Sequence, residues 1–181
     1  MKRIHAGIPA LFPSLLVTLI VLFSTACTND NIENVSQSEL QRQYSCVAFS
    51  QEPQTGRVIS VIDGDTIKIE SNNYKINVRY IGINSPELDT EENQIAEQAR
   101  EANRQLVENQ MVTLYKDTSD TDRFGRLLRY VFVGDVFVNY EMVRLGYARQ
   151  KDYPPDSACK DLFIEAQQEA IKNNRGMWNS N

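Results

Sequence analysis

The sequence predicts an α+β domain built on a small five-stranded β-barrel with three helices. Three observations predict it. Apolar residues alternate with period two early in the domain, a helical period appears once in the middle, and two more helical stretches follow the last strand. The 181 residues are 41% hydrophobic and 24% charged, a globular balance with room for one core.

The chain starts with Lys2 and Arg3, no acid, and an apolar run from Leu11 to Phe23. That run is shorter than the roughly 20 residues a membrane helix needs. A charged start, a short apolar middle and small residues at Ser24 and Ala26 read as a secretory signal peptide over residues 1–26. Ala26-Cys27 also matches the lipidation box of bacterial lipoproteins, with Ser24 where a leucine-like residue is usual. Lipidation of Cys27, giving a cell-envelope lipoprotein, and plain secretion both fit. Residues 27–53 read as anchor site and polar tether, with an apolar patch from Tyr44 to Phe49 that can pin the tether to the fold. The domain proper occupies 54–181.

Within it, Val58 to Ile62 and Thr66 to Ile69 flank an Asp63-Gly64-Asp65 turn, and Tyr74 to Ile81 alternates as a half-buried strand. Ile95, Ala99, Ala102 and Leu106 follow helical spacing. Met111 to Tyr115 and Leu127 to Val133 are strands around a polar turn at Asp122 to Gly125. A second helix is expected from Asn139, as N-cap, to Leu145 before Gly146, and a third from Asp161 to Asn174 before Gly176. This order suggests a barrel of the oligonucleotide-binding (OB-fold) type.

The single histidine, His5, falls in the leader. A mature chain without histidine excludes Ser-His-Asp hydrolysis, Cys-His proteolysis and His-ligated zinc chemistry. Carboxylates, guanidinium groups, hydroxyls and a hard metal ion remain. Removing the leader takes away two positive charges and no negative ones, moving the formal charge from −5 to −7. Such a surface repels polyanions at long range, which counts against a nucleic-acid role. Cys46 and Cys159 cannot build a zinc site; they can pair as a disulfide in an oxidising compartment or sit as separate buried thiols.

Four stretches carry the chemistry: Asp63-Gly64-Asp65-Thr66; Arg79 with Gly82-Ile83-Asn84-Ser85-Pro86-Glu87; Asp122-Arg123-Phe124-Gly125-Arg126; and Arg175-Gly176-Met177-Trp178. Singly, each is ordinary: a hairpin turn, a helix start, a surface ion pair, a core tryptophan. Together, in this order and spacing, they resemble the staphylococcal nuclease (thermonuclease) family over roughly residues 55–178.

The resemblance implies a nuclease that hydrolyses phosphodiester bonds of DNA and RNA and leaves 3′-phosphate ends. It places Asp65, Asn84 and the Ser85 carbonyl as ligands of Ca²⁺, and Arg79, Glu87 and Arg126 as catalytic residues. Oxygen donors suit calcium, a carboxylate can orient and deprotonate water, and planar guanidinium forks match phosphate oxygens. Asn84 stands where the family's best-known members have aspartate, so one negative charge is missing at the metal. Phe124 stands where tyrosine is frequent. The family stacks a base on tyrosines after the second helix; Tyr147 and Tyr153 lie nearby without an assignment. Because the chain is acidic, nucleic-acid affinity is expected from the metal and a local cluster of Arg79, Arg123 and Arg126, with Arg129 or Arg149. The expected protein is an exported monomer, held to a membrane by lipid on Cys27. The alternatives are a barrel that binds without turnover and a purely structural envelope lipoprotein.

Overall fold

The computed structural model describes residues 38–88 and 93–179. The leader, Cys27 and most of the tether lie outside them. Five strands form the barrel: β1 (Gln54–Val61), β2 (Thr66–Ser71), β3 (Tyr74–Tyr80), β5 (Met111–Tyr115) and β6 (Leu127–Val133). β1 pairs antiparallel with β2 and β5, β2 with β3, and β5 with β6. A parallel ladder between β3 and β6, Val78 opposite Leu127 and Tyr80 opposite Arg129, closes the mixed barrel. In β1 the register slips between Val58 and Ser60, a bulge that leaves Ile59 facing solvent. The β2–β3 hairpin turns on Asn72 and Asn73, both at positive φ, as a tight two-residue turn requires.

Short strands extend this frame. β4 (Ile83–Asn84) pairs with β8 (Arg149–Gln150), and β7 (Val136–Phe137) with the end of β6. From the barrel onward the helices are α1 (Asn93–Val107), α2 (Val138–Arg144) and α3 (Lys160–Lys172), with a 3₁₀ turn at Gly176–Trp178; residues 38–43, ahead of the barrel, are also helical. Among the described residues no helix is long and apolar enough to cross a membrane.

Two helices differ from expectation in instructive ways. The stripe that α1 buries is Ala96, Ala99, Asn103 and Val107, one position round from the larger residues, with Ile95, Ala102 and Leu106 only half-buried. Small side chains let the helix approach the β1–β2 turn closely. α2 begins one residue early, and Asn139 caps nothing. Its buried amide accepts from the Val131 N–H (2.9 Å) and donates to the Ile81 carbonyl (3.0 Å), joining the ends of β3 and β6.

The core is aromatic. Phe132 and Phe137 stack with centroids 4.5 Å apart, and Tyr130 and Phe163 pack around Phe137. Residues 44–49 add to it: Tyr44 sits edge-on to Phe137 and Phe49 edge-on to Tyr115. A Cys46–Cys159 disulfide ties this segment to the start of α3.

Candidate active site

The β1–β2 turn carries the first carboxylates. Asp63 Oδ1 accepts the Asp65 N–H at 2.9 Å and tightens the turn. α1 stands behind it so closely that a Cβ on Gly64 would lie 2.7 Å from Ser85 Cβ and 2.9 Å from Ala99 Cβ, so only glycine fits. Asn103, fully buried on α1, donates to the Asp63 carbonyl (2.9 Å) and accepts from the Tyr80 hydroxyl (2.9 Å). Nothing in the four motifs points to Asn103. The signal for it is a polar residue four positions after Ala99, on the helix's inward stripe.

Asp65 is 4% exposed. Its Oδ2 accepts the Ser85 N–H at 2.6 Å and lies 3.0 Å from Arg79 Nη2, while Oδ1 accepts the Thr66 hydroxyl at 3.1 Å. Burial pushes the carboxyl up from 3.8 to about 7; Arg79 opposes the rise and Asp63 adds to it.

Arg79 projects from β3, in register with Thr66 on one side and Leu128 on the other. Its guanidinium is folded inward. Nη1 donates to the carbonyls of Tyr80 (2.8 Å) and Ile83 (2.9 Å), and Nη2 to Asn84 Oδ1 (2.9 Å). The reason is local: β3 ends at Tyr80, the chain turns at Gly82 with φ of 77°, and the carbonyls of this turn take the arginine as donor. Asn84 Oδ1 also accepts the Tyr153 hydroxyl (3.4 Å), and Nδ2 donates to the Ser85 carbonyl (3.2 Å).

Arg126 is positioned by its own turn. Asp122 Oδ1 accepts the backbone N–H of Phe124 (2.9 Å) and Arg126 (3.0 Å), and Oδ2 takes Arg126 Nε at 2.7 Å. Burial raises the Asp122 carboxyl, but the Arg126 side chain and these N–H groups outweigh it and hold it below the usual range. Phe124, 69% exposed, lies under Arg123 and Arg126 at 4.7 and 5.6 Å from the ring centroid.

Asp65, Arg79, Asn84, Glu87, Arg123 and Arg126 all line one cleft of about 690 Å³, with Asp63, Phe124 and Tyr153. Glu87 is exposed there; Ser85 is buried behind the wall. Arg129 does not join them. It is 3% exposed and bound to Gln54 Oε1 (2.7 Å) and Asp120 Oδ1 (2.6 Å), pinning a loop rather than facing the cleft. Arg149 pairs with Asn84 through the β4–β8 ladder, and its guanidinium sits 5.7 Å from the Trp178 ring centroid. Trp178 itself is half-buried, not a core plug, because it lies on the final 3₁₀ turn at the surface.

Among the described residues, no three His, Cys, Asp or Glu side chains form a metal-binding group. The donors at hand are Asp65, the Asn84 amide oxygen and the Ser85 carbonyl, a hard-oxygen set that suits a calcium-like ion completed by water and phosphate.

The family model described as staphylococcal nuclease homologue matches residues 77–180, which run from β3 and Arg79 through the last helix. The chain belongs to the staphylococcal nuclease family. It is 34% identical over 130 residues to the thermonuclease of Staphylococcus hyicus, covering 70% of this chain and 77% of that protein. It is 36% identical over 121 residues to the thermonuclease of Staphylococcus intermedius, covering 65% and 72%. An endonuclease of Bacillus subtilis (strain 168), YncB, is 34% identical over 122 residues, covering 65% and 58%. The enzyme class of this family member is nuclease hydrolase, and its closed five-stranded mixed barrel with flanking helices is an OB-fold.

Proposed function

We propose that the protein is an extracytoplasmic nuclease that uses Ca²⁺ to hydrolyse phosphodiester bonds of DNA and RNA, leaving 3′-phosphate ends. One observation carries the reading: Glu87, Arg126, Arg79, Asp65 and Asn84 line the same cleft. Glu87, exposed on its wall, orients the attacking water and accepts its proton, a role open to a carboxylate in a domain without histidine. Attack at phosphorus expels the 5′-oxygen. Arg126, steered through Nε by Asp122, turns its Nη edge to the phosphate oxygens, where charge accumulates. Arg79 adds a second positive charge from behind Asn84. Asp65, Asn84 and the Ser85 carbonyl would hold the Ca²⁺, which would supply positive charge beside the phosphodiester.

Export is supported by the basic and apolar leader, and a disulfide between Cys46 and Cys159 belongs to oxidising compartments. Lipid on Cys27 holds the monomer at a membrane, and the tether gives its barrel reach. A second reading, a module that binds without cleaving, has one feature on its side: the guanidinium of Arg79 is turned inward, with three hydrogen bonds and an ion pair to Asp65 inside the protein.

The experiment is cleavage of an end-labelled oligonucleotide by the mature protein, in calcium and in chelator, with end-group analysis. Glu87→Gln should lower turnover by roughly 10²–10⁴ with folding intact. Cleavage indifferent to both the chelator and the substitution would refute the reading. Binding without cleavage would establish the second one.

A further inference from the structure

Arg79 already sits against the cleft's carboxylate and amide oxygens. Asp65 Oδ2 accepts the Ser85 N–H at 2.6 Å and forms an ion pair with Arg79 Nη2 at 3.0 Å. Asn84 Oδ1 accepts Arg79 Nη2 at 2.9 Å and the Tyr153 hydroxyl at 3.4 Å. An sp² oxygen offers two lone pairs, so those of Asn84 Oδ1 are both taken, and a second ligand to Asp65 Oδ2 must contend with the cation already beside it. Asp65 Oδ1 holds the Thr66 hydroxyl, and the Ser85 carbonyl holds Asn84 Nδ2. The arginine is held as well: Nη1 donates to the carbonyls of Tyr80 and Ile83, and Nη2 donates to Asn84 Oδ1 while lying 3.0 Å from Asp65 Oδ2.

We infer that Arg79 is the site's built-in competitor for its cation: the Nη2 edge of the guanidinium occupies Asp65 Oδ2 and Asn84 Oδ1, and yields them when calcium is taken up. The inference rests on the calcium reading above and adds a coupling between cation and arginine. Two cations that draw on the same oxygens oppose each other both by occupancy and by charge, and the opposition is strongest where burial keeps water out. By linkage, whatever weakens the hold on Nη2 tightens calcium, and calcium in turn frees Nη2 for a phosphate oxygen. The amide at Asn84 makes the exchange easier, because Nη2 there leaves a neutral oxygen and not a second carboxylate. The resting protein thus keeps its more buried catalytic arginine sheathed until the ion arrives.

The test is calorimetric titration of the mature protein with calcium alone, no nucleic acid present, for wild type, Arg79→Gln and Arg79→Lys. Arg79→Gln removes the competing charge and should bind calcium on the order of tenfold more tightly. Arg79→Lys keeps the charge without the fork and should fall between them. Equal or weaker binding by a cooperatively melting Arg79→Gln overturns the inference and leaves the calcium reading standing. Absence of calcium binding in all three overturns both. If Arg79→Gln does not fold, the guanidinium ¹⁵N–¹H signals of wild-type Arg79 decide: a change in its Nη2 hydrogens on adding calcium supports the competition, and unchanged signals overturn it.

Discussion

Asn84→Asp is the substitution on which the metal assignment turns. In the wild type, Nδ2 donates to the Ser85 carbonyl at 3.2 Å. A carboxylate puts an oxygen in its place, so a donor–acceptor contact becomes two facing acceptors, at a cost of about 1–3 kcal/mol. The oxygen facing Arg79 Nη2 at 2.9 Å meanwhile becomes charged, and a charge-assisted bond returns about 1 kcal/mol. In chelator the variant should therefore melt no higher than wild type and at most a few degrees lower. Calcium changes the balance. At an effective dielectric of about 20, a new unit charge about 4 Å from a divalent ion attracts it by about 8 kcal/mol before desolvation is subtracted. If only about 1.4 kcal/mol survives, calcium binds tenfold tighter. Cleavage rate titrated with calcium should then half-saturate at about a tenth of the wild-type concentration, with the two rates converging at saturation. A variant that needs the same calcium as wild type, or more, would show that Asn84 is not a cation ligand.

Calcium binding should strengthen with pH, because burial raises the Asp65 carboxyl to about 7 and a proton competes with the ion below that value. The same shift has a stability sign. A raised folded pKa contributes stability below about 3.8 that is lost as pH rises through about 7, so calcium should raise the melting temperature more at pH 8 than at pH 6. Similar calcium-induced shifts at both values would contradict this. The Cys46–Cys159 bridge spans 113 residues, and chain-entropy arithmetic puts its stabilisation near 5 kcal/mol as an upper figure; urea unfolding of oxidised and reduced protein measures it, and a difference under about 1 kcal/mol would show the bridge to be incidental. Cys27→Ser should move the protein from the membrane to the soluble fraction with cleavage intact, which fractionation and an activity assay check together; unmodified Cys27 in a soluble native protein would leave plain secretion.

Much of the fold is legible in the chain because it is written in local pattern. The Asp63-Gly64-Asp65 turn, the hairpin after it and the strands ending at Tyr115 and Val133 follow from alternation and turn chemistry. What is not legible depends on partners far along the chain. Asn139 has the type and position of an N-cap, and only closure of β3 on β6 shows that its amide serves two strands. Arg129 looks like any strand arginine until Gln54, far back in the chain, supplies its acceptor. The α1 stripe eludes a reading by size: the close approach at Gly64 selects alanine, whereas periodicity weighs the larger Ile95 and Leu106. For the site, the motifs name Asp65, Arg79, Asn84, Glu87 and Arg126, which line the cleft, whereas Tyr80, Leu128, Tyr153 and Asp156 reach its wall from outside the motifs. The motifs do not show that Arg79 is folded inward, since that depends on where the carbonyls of the turn at Gly82 point.

The parallel ladder between β3 and β6 has a consequence for when the protein can act. Asp65, Arg79, Asn84 and Glu87 are close neighbours in sequence, whereas Arg126 arrives only on the turn that leads into β6. Its approach therefore waits for the slowest kind of pairing, a parallel contact whose intervening loop contains α1 and β5. Until that ladder forms, the chain carries an incomplete set of charges around any phosphate it meets. A chain whose barrel is still open should therefore not hydrolyse nucleic acid. Recovery of activity in a refolding experiment would then time the closure of the barrel.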